Sequence, residues 1–201
     1  MPDSLVRVEP SEAVLARHPH PALAPYERAR VARFAHDADA ADYVAAHLLA
    51  QEVVGALIGA AAGAVALEQM CDRCGGTDHG RPAVCGSAAA VSWSHARGVV
   101  AAAAARARAV GVDVERPRGQ APDAAVVDMV ATPGEAREVF AAADPEAAFL
   151  ALWTRKEALV KVGALTLDDV ARRPAVAAPG NSLTSWFDEA TGAWLAASVA
   201  R

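Results

Sequence analysis

Lysine is scarce in this chain, and arginine supplies nearly all of its positive charge. Aromatic residues are few as well: four tryptophans, four phenylalanines and two tyrosines in 201 residues. Set against a composition that is 54% hydrophobic, much of it alanine, that scarcity predicts a core of closely packed small side chains. Cysteine is limited to Cys71, Cys74 and Cys85, an odd number that excludes a complete internal disulfide framework. Net positive charge is lacking too, since 19 Lys and Arg face 24 Asp and Glu for a formal charge of −5. The broad field on which sequence-blind nucleic-acid binding relies is therefore missing, although a local basic patch can still hold a phosphate. The opening MPDSLVRVEP has no basic-then-apolar run of a signal peptide. The least polar stretch, 53–67, is too short to span a bilayer. A cytoplasmic protein that binds neither membrane nor nucleic acid is the expectation.

What is present reads as a globular chain, with 21% charged residues and a length suited to one sizeable domain or two small ones. Prolines at 2, 10, 19, 21 and 25 predict an irregular start over 1–25. A helical pattern follows over 26–58, broken near 36–39. Residues 64–70 read as a strand entering the loop CDRCGGTDHGRP, rich in turn-forming residues. Three β-like runs come next, AAAVSWSH, GVVAAAAAR and AVGVDVE, and 116–131 reads as a connection. Thr132-Pro133-Gly134-Glu135 carries a helix start, with Thr as cap, Pro first and Glu three residues after the cap. Asp144-Pro145-Glu146 repeats that device and opens a long helix through FLALWTRKEALVK. Strand-like runs over 173–178 and 183–187 precede GAWLAASVA. Helix then strands, twice over, predicts an α+β fold of two halves, 1–109 and 110–201.

Four short segments carry chemistry. In Gly111-Val112-Asp113-Val114-Glu115, residues two apart on a strand face one side, so Asp113 and Glu115 project together. Two converging carboxylates call for protons or a hard cation such as magnesium, unless both are simply solvated. In Trp153 to Lys161, the residues Trp153, Glu157 and Lys161 share a helix face at i, i+4 and i+8; an aromatic anchor followed by an ordinary Glu–Lys pair would look the same. Ser92-Trp93-Ser94-His95 ends a strand with a histidine able to meet a phosphate or to satisfy a core hydrogen bond. His79-Gly80-Arg81-Pro82 sets a cation in a tight turn, suited to a phosphate clamp or to plain surface.

Taken in order, C-x-x-C-G, HGRP, SWSH, GVDVE and WTRKEALVK resemble the Sfp-type phosphopantetheinyl transferases over about residues 30 to 165. The resemblance implies a pseudo-dimer of two similar α/β halves, with coenzyme A in the cleft between them. It implies Asp113, Glu115 and Glu157 as magnesium ligands, with Glu157 helping to deprotonate the acceptor serine. Ser94, His95, Arg81 and Lys161 would contact coenzyme A phosphates. The reaction implied moves phosphopantetheine from coenzyme A to a serine of an apo acyl- or peptidyl-carrier protein, of polyketide, nonribosomal-peptide or fatty-acid type. A monomer is expected, since the internal pair of halves already forms the cleft.

Two departures stand out. Asp42 and Gln51 occupy positions where such enzymes often carry arginine, so the grip on the adenosine end would pass to Arg28, Arg30 or Arg33, with Arg33 the choice. Gly163-Ala164-Leu165 replaces the usual glycine-rich turn. Two other functions stay open: a protein of this fold that holds coenzyme A or a carrier without turnover, and an unrelated magnesium-dependent phosphohydrolase. A zinc site at Cys71 and Cys74, with His79 and Cys85, has a possible spacing but only one C-x-x-C pair.

Overall fold

The computed structural model describes residues 3–21, 23–71, 74–76 and 80–200. The chain opens with β1 (Ser4–Pro10), α1 (Ser11–Arg17), α2 (Pro25–Val31) and α3 (Asp37–Ile58). The strands β2 (Leu67–Met70), β3 (Arg81–Val84), β4 (Ala90–Ala96), β5 (Val99–Ala105) and β6 (Ala109–Glu115) follow. Next come α4 (Ala124–Val130), α5 (Pro133–Ala141) and α6 (Pro145–Val162), and the chain ends in β7 (Asn181–Asp188) and β8 (Ala193–Ala200). Among the described residues the fold is mixed α/β, with three antiparallel sheets ordered β1-β5-β4, β2-β3 and β6-β8-β7.

The alanine-rich strand β5 explains the composition. All seven of its residues are buried, and the period-two alternation divides them between two cores. Val100, Ala102 and Ala104 pack with α3, whereas Val99, Ala101, Ala103 and Ala105 pack with Val110, Val112, Val114 and Leu195 of the other sheet. A strand covered on both faces accepts only small or compact side chains. The long helix α3 is buried around most of its surface for the same reason. It stops at Gly59, whose φ of 78° suits a left-handed cap. This helix is long and apolar enough to cross a membrane, unlike the 53–67 stretch, yet 72% of its apolar window is buried inside the protein. It is a core helix here.

Three expectations are corrected. The proline-marked start is ordered: β1 pairs with β5 from Ser4↔Ala105 to Pro10↔Val99, and α1 follows at once. Pro10 sits at the end of β1, Pro19 and Pro21 in the link after α1, and Pro25 at the first position of α2, where a missing N–H costs nothing. The connection 116–131 contains α4, capped by Asp123, whose side chain accepts from the Ala125 N–H at 2.7 Å. Residues 173–178 form no strand, because Arg155 and Glu135 take their backbone groups at Ala175. Both predicted caps formed: Thr132 and Glu135 make a reciprocal capping box, and Asp144 accepts from Ala147 N–H at 3.0 Å.

Candidate functional site

The site begins at two edge strands. β4 borders the first large sheet and β6 the last, and serine hydroxyls join them. Ser92 Oγ accepts from the Val112 N–H at 3.1 Å, and Ser94 Oγ donates to Asp113 Oδ1 at 2.7 Å. Helix α6 closes the third side. Gly111 permits this, since a Cβ there would lie 2.2 Å from the Ala158 carbonyl oxygen. The glycine of GVDVE is therefore a steric requirement that lets the helix seat Glu157 and Lys161 over β6.

Lys161 Nζ reaches Asp113 Oδ1 at 2.6 Å and the Val112 carbonyl at 3.0 Å. Asp113 is 4% exposed, and its second oxygen, Oδ2, is buried with no hydrogen-bond partner. An orphaned carboxylate oxygen at that depth is costly. Glu115 and Glu157 stand half-buried beside it. Burial and then the charge of Asp113 push both above the ordinary carboxylate range; Glu115 is opposed by a Trp153 hydrogen bond and Glu157 by Lys161. Glu115 and Glu157 thus both feel the charge of Asp113, as the alternation on β6 and the helical spacing on α6 predict.

Hard oxygen donors, mutual repulsion and an unpartnered oxygen fit a hard divalent cation chemically. Among the described residues, however, no three His, Cys, Asp or Glu side chains already stand together as a metal cage. Lys161 meets part of the same need by pairing with Asp113. The cysteines form no disulfide, and no described group gathers them into a metal site; His79 lies outside the described residues.

Next to the carboxylates is a cavity of about 690 Å³, lined by Arg30, Arg33, Trp93, Ser94, His95 and Lys161 among others. His95 is solvent-facing by surface area but crowded at its sides, and that crowding lowers its pKa, with Asp42 opposing and Lys161 adding. Ser94 spends its proton on Asp113, so it offers lone pairs and positioning to a ligand. Arg28 bonds the Leu23 carbonyl and does not line the cavity, whereas Arg30 sits over the Phe34 ring, 5.3 Å from its centroid. Arg81 lines a neighbouring cavity instead, its guanidinium beside Gly163, where a Cβ would come within 2.9 Å of it.

Asp42 and Gln51 turn out to be structural. Asp42 is buried, accepting from Ser11 Oγ at 2.5 Å and the Gly98 N–H at 2.8 Å; Gln51 donates to the Val65 carbonyl at 3.1 Å. Sequence reasoning missed His47, which is 3% exposed and held between the tilted rings of Tyr43 and Trp93, with centroids 4.2 and 4.7 Å away. Its Nδ1 meets the Tyr43 carbonyl at 2.8 Å, and burial lowers its pKa to about 4. An aromatic residue four positions before a histidine on a helix is the signal that was available. Lys156 was missed as well: it is wholly buried, with Nζ on the carbonyls of Val170 and Arg173 at 2.5 Å each and on Glu135 at 2.8 Å.

Residues 109–177 match the family model of the 4'-phosphopantetheinyl transferase superfamily. The matched span runs from β6 through α6, so it contains Asp113, Glu115, Glu157 and Lys161. In general terms it indicates a transferase acting on phosphopantetheine. No curated protein matches the chain.

Proposed function

We propose that this protein is an Sfp-type, magnesium-dependent phosphopantetheinyl transferase that modifies a serine of an apo carrier protein with coenzyme A as donor. Asp113 carries the reading. It is a buried carboxylate with one oxygen committed to Ser94 and Lys161 and the other unpartnered. Two further acids with raised pKa values flank it, beside a cavity edged by arginines and a histidine. Such a site suits a cation together with a polyanion.

Asp113, Glu115 and Glu157 would hold magnesium, which when bound neutralises the acids and withdraws charge from phosphate oxygens. Glu157 accepts the proton of the acceptor serine. The serine oxygen bonds to the phosphorus bearing the pantetheine arm, the bond to the bridging oxygen breaks, and adenosine bisphosphate leaves. Lys161 and His95 donate to the oxygens on which charge accumulates. Arg33, with Arg30, faces the nucleotide phosphates, while Ser94 holds Asp113 in place and Arg81 lies one cavity further on.

On the same reading the fold is a pseudo-dimer with halves 1–109 and 110–201, each supplying a three-stranded sheet and a long helix. The protein acts in the cytoplasm as a monomer on acyl- or peptidyl-carrier proteins. The lack of a ready cage among the described residues favours one rival, a protein that binds coenzyme A without turnover. Intact mass of an apo carrier after incubation with coenzyme A and magnesium separates the two. A gain of one phosphopantetheine, abolished by EDTA and by Glu157→Ala, supports the transferase. Measurable coenzyme A binding without any gain across several carriers supports the rival.

A further inference from the structure

The C-x-x-C-G segment takes no part in the site described above. It lies at the loop end of the β2–β3 pair, directly after Met70, which pairs with Arg81. There the chain closes on itself. The Gly75 N–H donates to the Cys71 carbonyl at 2.8 Å, and the Cys71 N–H donates to the Gly76 carbonyl at 2.9 Å. Gly75 holds a φ of 68°, the left-handed conformation that this closure uses. A chain closed between residues 71 and 75 sets positions 71 and 74 at roughly the 4.4–6.8 Å between α-carbons that a disulfide spans. The Gly76 N–H donates to Cys74 Sγ at 3.4 Å, a contact that favours the thiolate. Cys74 is exposed and Cys71 half-buried, and neither is in a disulfide.

Cys85 provides the contrast. Its N–H bonds the Ala66 carbonyl at 2.9 Å, so the four residues of β2, at about 3.3 Å each, separate it from Cys71. That is beyond the reach of a disulfide. Crowding and then the charge of Glu68 push its thiol pKa up. We propose that Cys71 and Cys74 form a reversible dithiol–disulfide couple whose co-reactant is the disulfide of a low-molecular-weight thiol. The exposed Cys74 thiolate attacks one sulfur of that disulfide, releasing a first thiolate and leaving a mixed disulfide on Cys74. Cys71 then attacks Cys74 Sγ, the bond between the two cysteines forms, and the second thiolate leaves. The pair gives up two electrons and two protons. The co-reactant takes the electrons, and its two thiolates take the protons.

The test uses the full chain, first reduced and then held in mixtures of reduced and oxidised glutathione of stepped ratio. Acid quenching, alkylation and mass spectrometry of the intact chain and its peptides report the state of each cysteine. The expected result is loss of two hydrogens, a Cys71–Cys74 link in the peptide map, and return to the dithiol in excess reduced glutathione. Cys71→Ser removes the resolving thiol and should trap glutathione on Cys74. In the reduced chain Cys74 should be alkylated about tenfold faster than Cys85. Stable glutathione adducts on the wild-type pair, with no link between the cysteines, would overturn the couple. Oxidation confined to Cys85 would do the same. So would zinc that, added to the reduced chain, stays bound at the pair and blocks its oxidation, since the pair is then a metal site. No step of this test depends on coenzyme A or a carrier, so the result stands apart from the transferase reading.

Discussion

The two lysines of this chain both lie on α6, five residues apart, and each meets a carboxylate from another element. Lys156 is completely enclosed, and two carbonyls and Glu135 occupy its ammonium. Glu135 in turn caps α5 and accepts from the Ala175 N–H at 2.7 Å, and its pKa is lowered despite burial because Lys156 heads the groups bonded to it. Every charge in that pair is satisfied. Lys161 is partly exposed, and its partner Asp113 keeps one buried oxygen unpartnered and raises the pKa of two neighbours. The same ion pair thus serves two ends. Where all lone pairs are used the pair joins elements together, and where one is left over the pair is open to a ligand.

Removing the closed pair should have the largest effect. Lys156→Ala leaves Glu135 and two carbonyls without their donor and is expected to cost about 3–5 kcal/mol of stability. Denaturant unfolding measures this, and Lys156→Met, which keeps the volume, separates lost packing from lost charge. The remaining folded fraction should retain its activity per molecule. The open site should behave in the opposite way. Glu157→Gln is expected to lower transfer about 10²–10³-fold while thermal stability holds or rises, because a repelled charge is removed. Loss of stability without loss of rate would break the comparison.

His47 offers a milder test, a buried group with no ion partner. Its folded pKa of about 4 lies below its ordinary 6.5, so the unfolded chain takes up the proton first. The stability this provides is complete above about pH 6.5 and is lost as pH falls towards 4, by up to roughly 3 kcal/mol. Unfolding free energies across that range should fall more steeply for the wild type than for His47→Phe. Smallest of all, Thr132→Ala removes a cap oxygen from α5 and should cost about 1 kcal/mol, measured as a lower melting temperature with activity intact.

Much of the site was legible because its parts obey short-range rules. Asp113 and Glu115 share a strand face, Glu157 and Lys161 share a helix face, and Thr132 and Asp144 announce their helices. Less legible were features that depend on distant partners. β1 was hidden by prolines because its pairing is with β5, about a hundred positions away along the chain. Asp42 looked like a reversed binding charge, but the distant Ser11 and Gly98 had already claimed both its oxygens. Helical spacing sets Lys161 on the face of Glu157, but nothing local shows that Lys156 is enclosed by Glu135 and two distant carbonyls.

By itself the sequence determined spacing and periodicity: which residues share a face, where helices start, and that the chain lacks the field for sequence-blind nucleic-acid binding. Those follow from geometry repeated every two or 3.6 residues. Tertiary structure alone decided which lysine is closed and which is open, that Gly111 lets α6 approach β6, and that one oxygen of Asp113 is left over. Such outcomes rest on groups like Lys161 and Asp113, 48 positions apart in sequence, being brought within hydrogen-bond reach by packing that no local pattern encodes.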